Sequence, residues 1–163
     1  MRNDPDHAQY LERWAGLYEE SNYHRGLAAY FLRKSHAWCE SSLGERRFDD
    51  VIEVGAGTGI HIDFVKHPFV RYWMTDLNAP MLERVAASRT SRREGEILVR
   101  KEDATRLTFP AAHFDRLIAA HVLEHLPRPH EVLKEWARVV KPGGIISLVL
   151  ACNPDCLGGL AVV

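Results

Sequence analysis

From residue 48 onward the chain alternates short apolar, β-branched runs with longer amphipathic stretches. Runs near 50–54, 70–75, 97–101, 114–120 and 145–151 have strand length, and stretches near 59–66, 79–92 and 130–140 carry apolar residues at helical spacing. Strands that alternate with helices need crossovers, so the pattern predicts an α/β fold with a parallel sheet of about five strands and helices on both faces. Ahead of it, residues 6–20 and 23–42 read as two amphipathic helices, with Leu11, Trp14, Leu17 and Tyr18 at helical spacing in the first. The expected division is an N-terminal helical cap over 1–47 and a sheet core over 48–163, one compact domain overall. No repeat or low-complexity segment interrupts it.

The first apolar run ends in Val51-Ile52-Glu53-Val54-Gly55-Ala56-Gly57-Thr58-Gly59-Ile60. Glycines at 55, 57 and 59 remove the side chains that would hold a ligand away from the backbone. Thr58 is placed to cap a following helix, whose free amides and positive dipole end favour a polar ligand group over the loop. The dinucleotide fingerprint is G-x-G-x-x-G, and this loop is G-x-G-x-G, with Ile60 where the third glycine belongs. Asp76 ends the next apolar run. An aspartate at a second strand tip is suited to accept both hydroxyls of a ribose, which together with the spacing favours an adenosine-bearing ligand without a pyrophosphate.

These blocks, with Thr75-Asp76-Leu77-Asn78-Ala79-Pro80-Met81-Leu82, Glu102-Asp103-Ala104, Phe114-Asp115-Arg116-Leu117-Ile118, His121-Val122-Leu123-Glu124-His125-Leu126 and residues 135–144, follow in a recognisable order. Over roughly residues 48–150 the chain resembles the class I S-adenosylmethionine-dependent methyltransferases, in the small-molecule branch that holds the ubiquinone and menaquinone methyltransferases. The resemblance implies a Rossmann-like core and S-adenosyl-L-methionine as cofactor. It implies that the backbone of Gly55, Ala56, Gly57 and Gly59 faces the methionine part, with Glu53 supporting the loop or meeting the amino group. Asp76 would bind the ribose, Leu77 would pack on the adenine, and Asp103 and the Ala104 amide would meet the adenine edge. His121 would lie near the methionine moiety. No general base is fixed by the family pattern, so the catalytic residues are unknown at this stage.

Each residue has a plainer reading when taken singly. The loop fits a ligand-free left-handed turn, Asp76 a helix N-cap ahead of Ala79-Pro80, and Asp103 a turn. Their joint presence favours the cofactor. His121-Val122-Leu123-Glu124-His125 also spells H-x-x-E-H, a zinc-hydrolase signature that needs both histidines on one helix face. His121 directly follows the apolar run 117–120, which predicts a strand end there, and no bound metal is expected.

Composition adds limits. The chain has 163 residues, is 46% hydrophobic and carries a net charge of −1, without the basic excess that phosphate backbones require, so a nucleic-acid partner is disfavoured. The basic stretch 84–93 reads as a solvated helix face. Cys39, Cys152 and Cys156 cannot all pair and no secretory signal is evident, which predicts a cytoplasmic protein. The run 145–150 is too short to span a bilayer.

Members of the resembled family continue past the fifth strand with a helix and an antiparallel strand pair, whereas this chain ends at Val163. The expectation is therefore a C-terminally truncated sequence lacking those last strands, with self-association through an exposed sheet edge. The expected activity is methyl transfer to a small-molecule or lipid acceptor. The alternatives are a cofactor-binding fragment without catalysis and, remotely, the zinc hydrolase. Within the cap, Tyr23 and His24 are candidates to orient an acceptor.

Overall fold

In a computed structural model of the protein, residues 26–78, 82 and 95–150 are described. The helix expected over 6–20, nearly all of that over 79–92, the basic stretch 84–93, Tyr23, His24, Cys152 and Cys156 lie outside the described residues.

Helix α1 (Gly26–Ser41) leads into strand β1 (Phe48–Val54). Strands β2 (Phe69–Asp76), β3 (Glu96–Lys101), β4 (Phe114–Ala120) and β5 (Val140–Val149) follow, with helix α2 (Pro129–Val139) between the last two. All four pairings are parallel and the order is β3-β2-β1-β4-β5. The strand order therefore reverses between β1 and β4, and the crevice beyond their carboxyl ends is where open α/β sheets place ligands.

Side-chain alternation builds a core on each face of the sheet. Ile52, Val54, Leu117, Ala119 and Leu148 pack under α2, which turns Val132, Trp136 and Val139 inward at helical spacing. The buried Trp136 indole donates to the Ala104 carbonyl at 2.8 Å, so its polar tip is satisfied and the segment after β3 is tied to α2. On the other face Val51, Tyr72, Met74 and Ile118 meet Ile62, Val65 and Leu82.

Two local expectations fail. Instead of a helix over 59–66 there is a single 3-10 turn, Ile60–Asp63, capped by Gly59 with φ 66° and no side-chain hydrogen bond, so Thr58 is not a cap. Gly59 N–H closes a tight turn on the Ala56 carbonyl at 2.7 Å, and Pro68, next to β2, biases His67 away from helical backbone, which leaves too little chain for a helix. The second concerns the start of the last strand, expected near 145. Val140 already pairs with Phe114, and the register then shifts before Ile145 pairs with Arg116, so Lys141-Pro142-Gly143-Gly144 is an irregularity inside β5. No described helix is long and apolar enough to cross a membrane.

Candidate functional site at the sheet switch point

The glycine loop leaves the carboxyl end of β1 in left-handed backbone, with φ 66° at Gly55 and 54° at Gly57. The two glycines do different work. A Cβ on Gly55 would lie 2.6 Å from a Val122 methyl, so packing against the β4 exit requires glycine there; a Cβ on Gly57 would meet nothing within 4 Å. Open space lies over Gly57. Ala56 N–H donates to the Thr75 carbonyl at 2.9 Å, and Gly57 N–H donates to Asp76 Oδ2 at 2.9 Å, so the β2 tip holds the loop from beneath.

Asp76 also accepts from the Asn78 amide through Oδ1 at 2.9 Å. Leu77 beside it is 62% exposed, an apolar platform without cover. The β3 tip is adjacent, since Glu102 N–H reaches the Asp76 carbonyl at 3.2 Å. Asp103 is exposed, and its Oδ1 accepts from both the Thr105 hydroxyl at 2.7 Å and the Thr105 amide at 2.8 Å. These two bonds hold its carboxyl below the usual aspartate range. Ala104 is buried under Trp136.

Five of the expected residues, Glu53, Gly55, Ala56, Gly57 and His121, line one cavity of about 90 Å³. Glu53 is fully buried; burial raises its carboxyl, opposed by His61 and by the hydrogen bond that Tyr72 donates to Oε2 at 2.8 Å. The carboxyl is thereby tied to Tyr72 of β2. His121 sits past the end of β4 with φ 57°. Ser35 donates its hydroxyl to the Leu32 carbonyl, so His121 Nε2–H is the donor to Ser35 Oγ at 3.2 Å and Nδ1 is left as the acceptor. That Nδ1 is buried with no hydrogen-bond partner, 3.6 Å from Glu124 Oε1. Burial lowers the ring's basicity, against the pull of Glu124. The H-x-x-E-H motif forms no helix across its length. A 3-10 turn covers only Leu123–His125, so the shared helix face that a zinc grip requires is absent.

Two residues that the sequence reading overlooked form another wall of the cavity, His36 and His61. They are the outer end of a buried chain. His36 Nδ1 and His61 Nδ1 are 2.7 Å apart, His61 Nε2 meets Glu40 Oε1 at 2.7 Å, and Arg116 clamps Glu40 through Nη1 at 3.0 Å and Nη2 at 2.7 Å. Arg116 also reaches His67 Nε2 at 2.7 Å and Ser147 Oγ at 3.2 Å. Burial alone would raise the Glu40 carboxyl, but hydrogen bonds from His61 and Arg116 hold it near about 2. The one available signal was His36 and Glu40 at i and i+4 on one helix; Arg116 read only as a strand residue.

Cys39, Glu40 and His61 converge closely enough to suggest a metal grip. The chemistry argues otherwise: burial pushes the Cys39 thiol up to about 11, and the Arg116 cation already occupies Glu40.

Alignment with known proteins agrees with this geometry. Residues 52–148 match the methyltransferase domain family, type 11. The chain belongs to that family of class I S-adenosylmethionine-dependent methyltransferases. It is 37% identical over 99 residues to the ubiquinone/menaquinone biosynthesis C-methyltransferase UbiE of Bordetella parapertussis, covering 58% of this chain and 37% of that protein. The YcgJ protein of Bacillus subtilis superposes with a TM-score of 0.62 at 19% identity, over 72% of this chain and 50% of that one. The [4+2]-cyclase SpnF superposes with a TM-score of 0.58 at 25% identity, over 76% and 45%. The chain spans less than half the length of the curated relatives it matches, 37% and 46% in two cases.

S-adenosyl-L-methionine is the family's cofactor, and the residues present fit it. The unpartnered His121 Nδ1 and the buried Glu53 carboxyl stand ready for a group that brings N–H donors. The room over Gly57 would be filled by any side chain.

Proposed function

We propose that this chain is the cofactor-binding part of an S-adenosylmethionine-dependent methyltransferase whose acceptor is a small apolar molecule, in the chemistry of its relatives a quinone ring carbon. The observation that carries the reading is the cavity at the β1/β4 switch point, where Glu53, the open Gly57 and the unpartnered His121 Nδ1 meet. Bound there, the cofactor would supply an electrophilic methyl carbon on a sulfonium. Glu53 and His121 would receive its amino group, Asp76 its ribose hydroxyls, and Leu77, Asp103 and the Ala104 amide its adenine. The protein's task is then orientation and exclusion of water, and positioning of this kind lowers a barrier by several kcal/mol without an acid or base.

A second reading, cofactor binding without methyl transfer, is favoured by the presence of a cyclase on the same fold. Calorimetric titration with S-adenosylhomocysteine, followed by a methyl-transfer assay on a demethylated quinone, separates them. Binding with turnover supports the first reading, binding without turnover the second, and no binding rejects both.

A further inference from the structure

Helix α1 is built inside out. Its inward face carries Ser35, His36 and Glu40, all buried, while Tyr30, Phe31 and Trp38 stand 55%, 59% and 56% exposed. Tyr30, Lys34 and Trp38 follow one another at i, i+4 and i+8, and Phe31 lies one turn before Lys34, so these side chains form one outward stripe. The stripe flanks a groove of about 440 Å³ lined by Phe31, Lys34, Ser35, Ala37 and Trp38. Single exposed apolar side chains are ordinary, but three aromatics in one stripe beside a groove mark a docking surface. Its charge is of one sign. Arg33 and Lys34 are exposed and each lies over a ring, Arg33 at 5.3 Å from the Phe64 centroid and Lys34 at 5.5 Å from that of Tyr30. Among the described residues neither is paired with a carboxylate. The one acid of α1, Glu40, points inward to Arg116.

Aromatic rings interleaved with unpaired cations, and no acid among them, complement an anionic lipid surface. Trp and Tyr rings settle at headgroup level, and Lys and Arg stems lie along apolar ground while their heads meet phosphates. A second copy of this chain fits less well. A twofold contact would set the face against itself and bring Arg33 and Lys34 of both copies together with no acid between them. We propose that the outer face of α1 is a docking surface for an anionic membrane, in which Tyr30, Phe31 and Trp38 enter the interface and Arg33 and Lys34 meet lipid phosphates. The helix would lie on the bilayer without spanning it, its inner face still fastened to the sheet through Glu40 and Arg116. Ser35 joins this face to the cofactor cavity, because it lines the groove and its hydroxyl meets His121 Nε2 at 3.2 Å. Resting on the apolar-acceptor reading above, docking in this pose would bring that cavity beside a phase in which an apolar acceptor dissolves.

Flotation of the full chain with lipid vesicles tests this, using phosphatidylcholine alone and phosphatidylcholine mixed with phosphatidylglycerol. Wild type should float with the mixed vesicles, bind the neutral ones more weakly and come off as salt is raised. Phe31→Ser combined with Trp38→Ser should weaken binding to mixed vesicles by about tenfold or more, through lost apolar contact. Arg33→Gln combined with Lys34→Gln should weaken it by about fivefold for each cation removed and abolish the preference for anionic lipid. Both pairs replace exposed side chains, so far-UV circular dichroism should match wild type. Wild type that floats with neither vesicle, or a double variant that binds as wild type does, would overturn the proposal. A concentration-dependent dimer lost in the Phe31→Ser, Trp38→Ser variant, without vesicle binding, would give the face to a second copy; neither dimer nor vesicle binding would give it to the chain's own residues. Calorimetry with S-adenosylhomocysteine is a separate readout. Vesicle binding without binding of that ligand would sink the cofactor reading and leave the docking surface standing.

Discussion

Asp76 illustrates how one side chain serves two ends. Its expected partner is a ribose, yet in the protein alone Oδ2 holds the Gly57 amide and Oδ1 the Asn78 amide. Asp76→Ala should weaken S-adenosylhomocysteine binding by about 1–3 kcal/mol, because a charged acceptor is lost and the loop loses its brace. Unchanged affinity in a folded variant, measured by calorimetry, would remove Asp76 from the site. Gly57→Val should abolish binding while helix content by circular dichroism persists. A β-branched residue resists φ 54° and would stand in the open space over the loop. Full binding would make the loop a mere turn. The glycine loop and Asp76 were legible in the sequence because each depends on residues close in the chain. Asp103 was legible as a turn for the same reason, its partner Thr105 being two residues on. His36, His61, Glu40 and Arg116 were not. Their contacts join three separate segments, α1, the 3-10 turn and β4, and nothing in the FDRLI run marks its arginine as inward-facing.

At the scale of elements, that buried chain fastens α1 to the sheet. Arg116 is 0% exposed and Glu40 5%, so removing one partner strands the other's charge in a dry site. Arg116→Met should cost about 3–5 kcal/mol in urea unfolding. A loss within about 0.5 kcal/mol, the range of a surface change, would show that water reaches the pair. The same chain sets an acid limit. Because the folded Glu40 carboxyl is held near about 2, below its unfolded value, its contribution is present above the usual glutamate range and is lost as pH falls toward 2. In Arg116→Met the Glu40 carboxyl loses that hold and burial pushes it up, so acid neutralises the stranded charge and the variant's deficit in urea unfolding should shrink as pH falls; a deficit that stays constant would show that Glu40 is not the group left stranded. All five strands were legible from their β-branched runs, with shifts at their ends. The 3-10 turn after Gly59 and the early start of β5 were not, since periodicity alone registers neither the short reach to Pro68 nor a Gly-rich irregularity inside a ladder.

At the scale of the whole molecule, the sheet's edges decide how one chain meets another. Among the described residues the outermost strands are β3 and β5. They are guarded differently. Strand β3 reads Glu-Ile-Leu-Val-Arg-Lys, with charge at both ends, and such charges discourage another chain from pairing. Strand β5 runs through Ile145, Ile146, Leu148 and Val149 with Lys141 as its one charged residue. Among the described residues no strand pairs with the outer side of β5, and bare amides beside an apolar run are a template for strand addition, so we expect the chain to self-associate through β5 rather than β3. Light scattering over a concentration series should show growth of dimers or larger species, and hydrogen exchange at the β5 amides should slow in step while β3 amides stay unaffected. A monodisperse monomer at every concentration, or protection gained at β3 instead, would mean that the β5 edge is already covered within the chain.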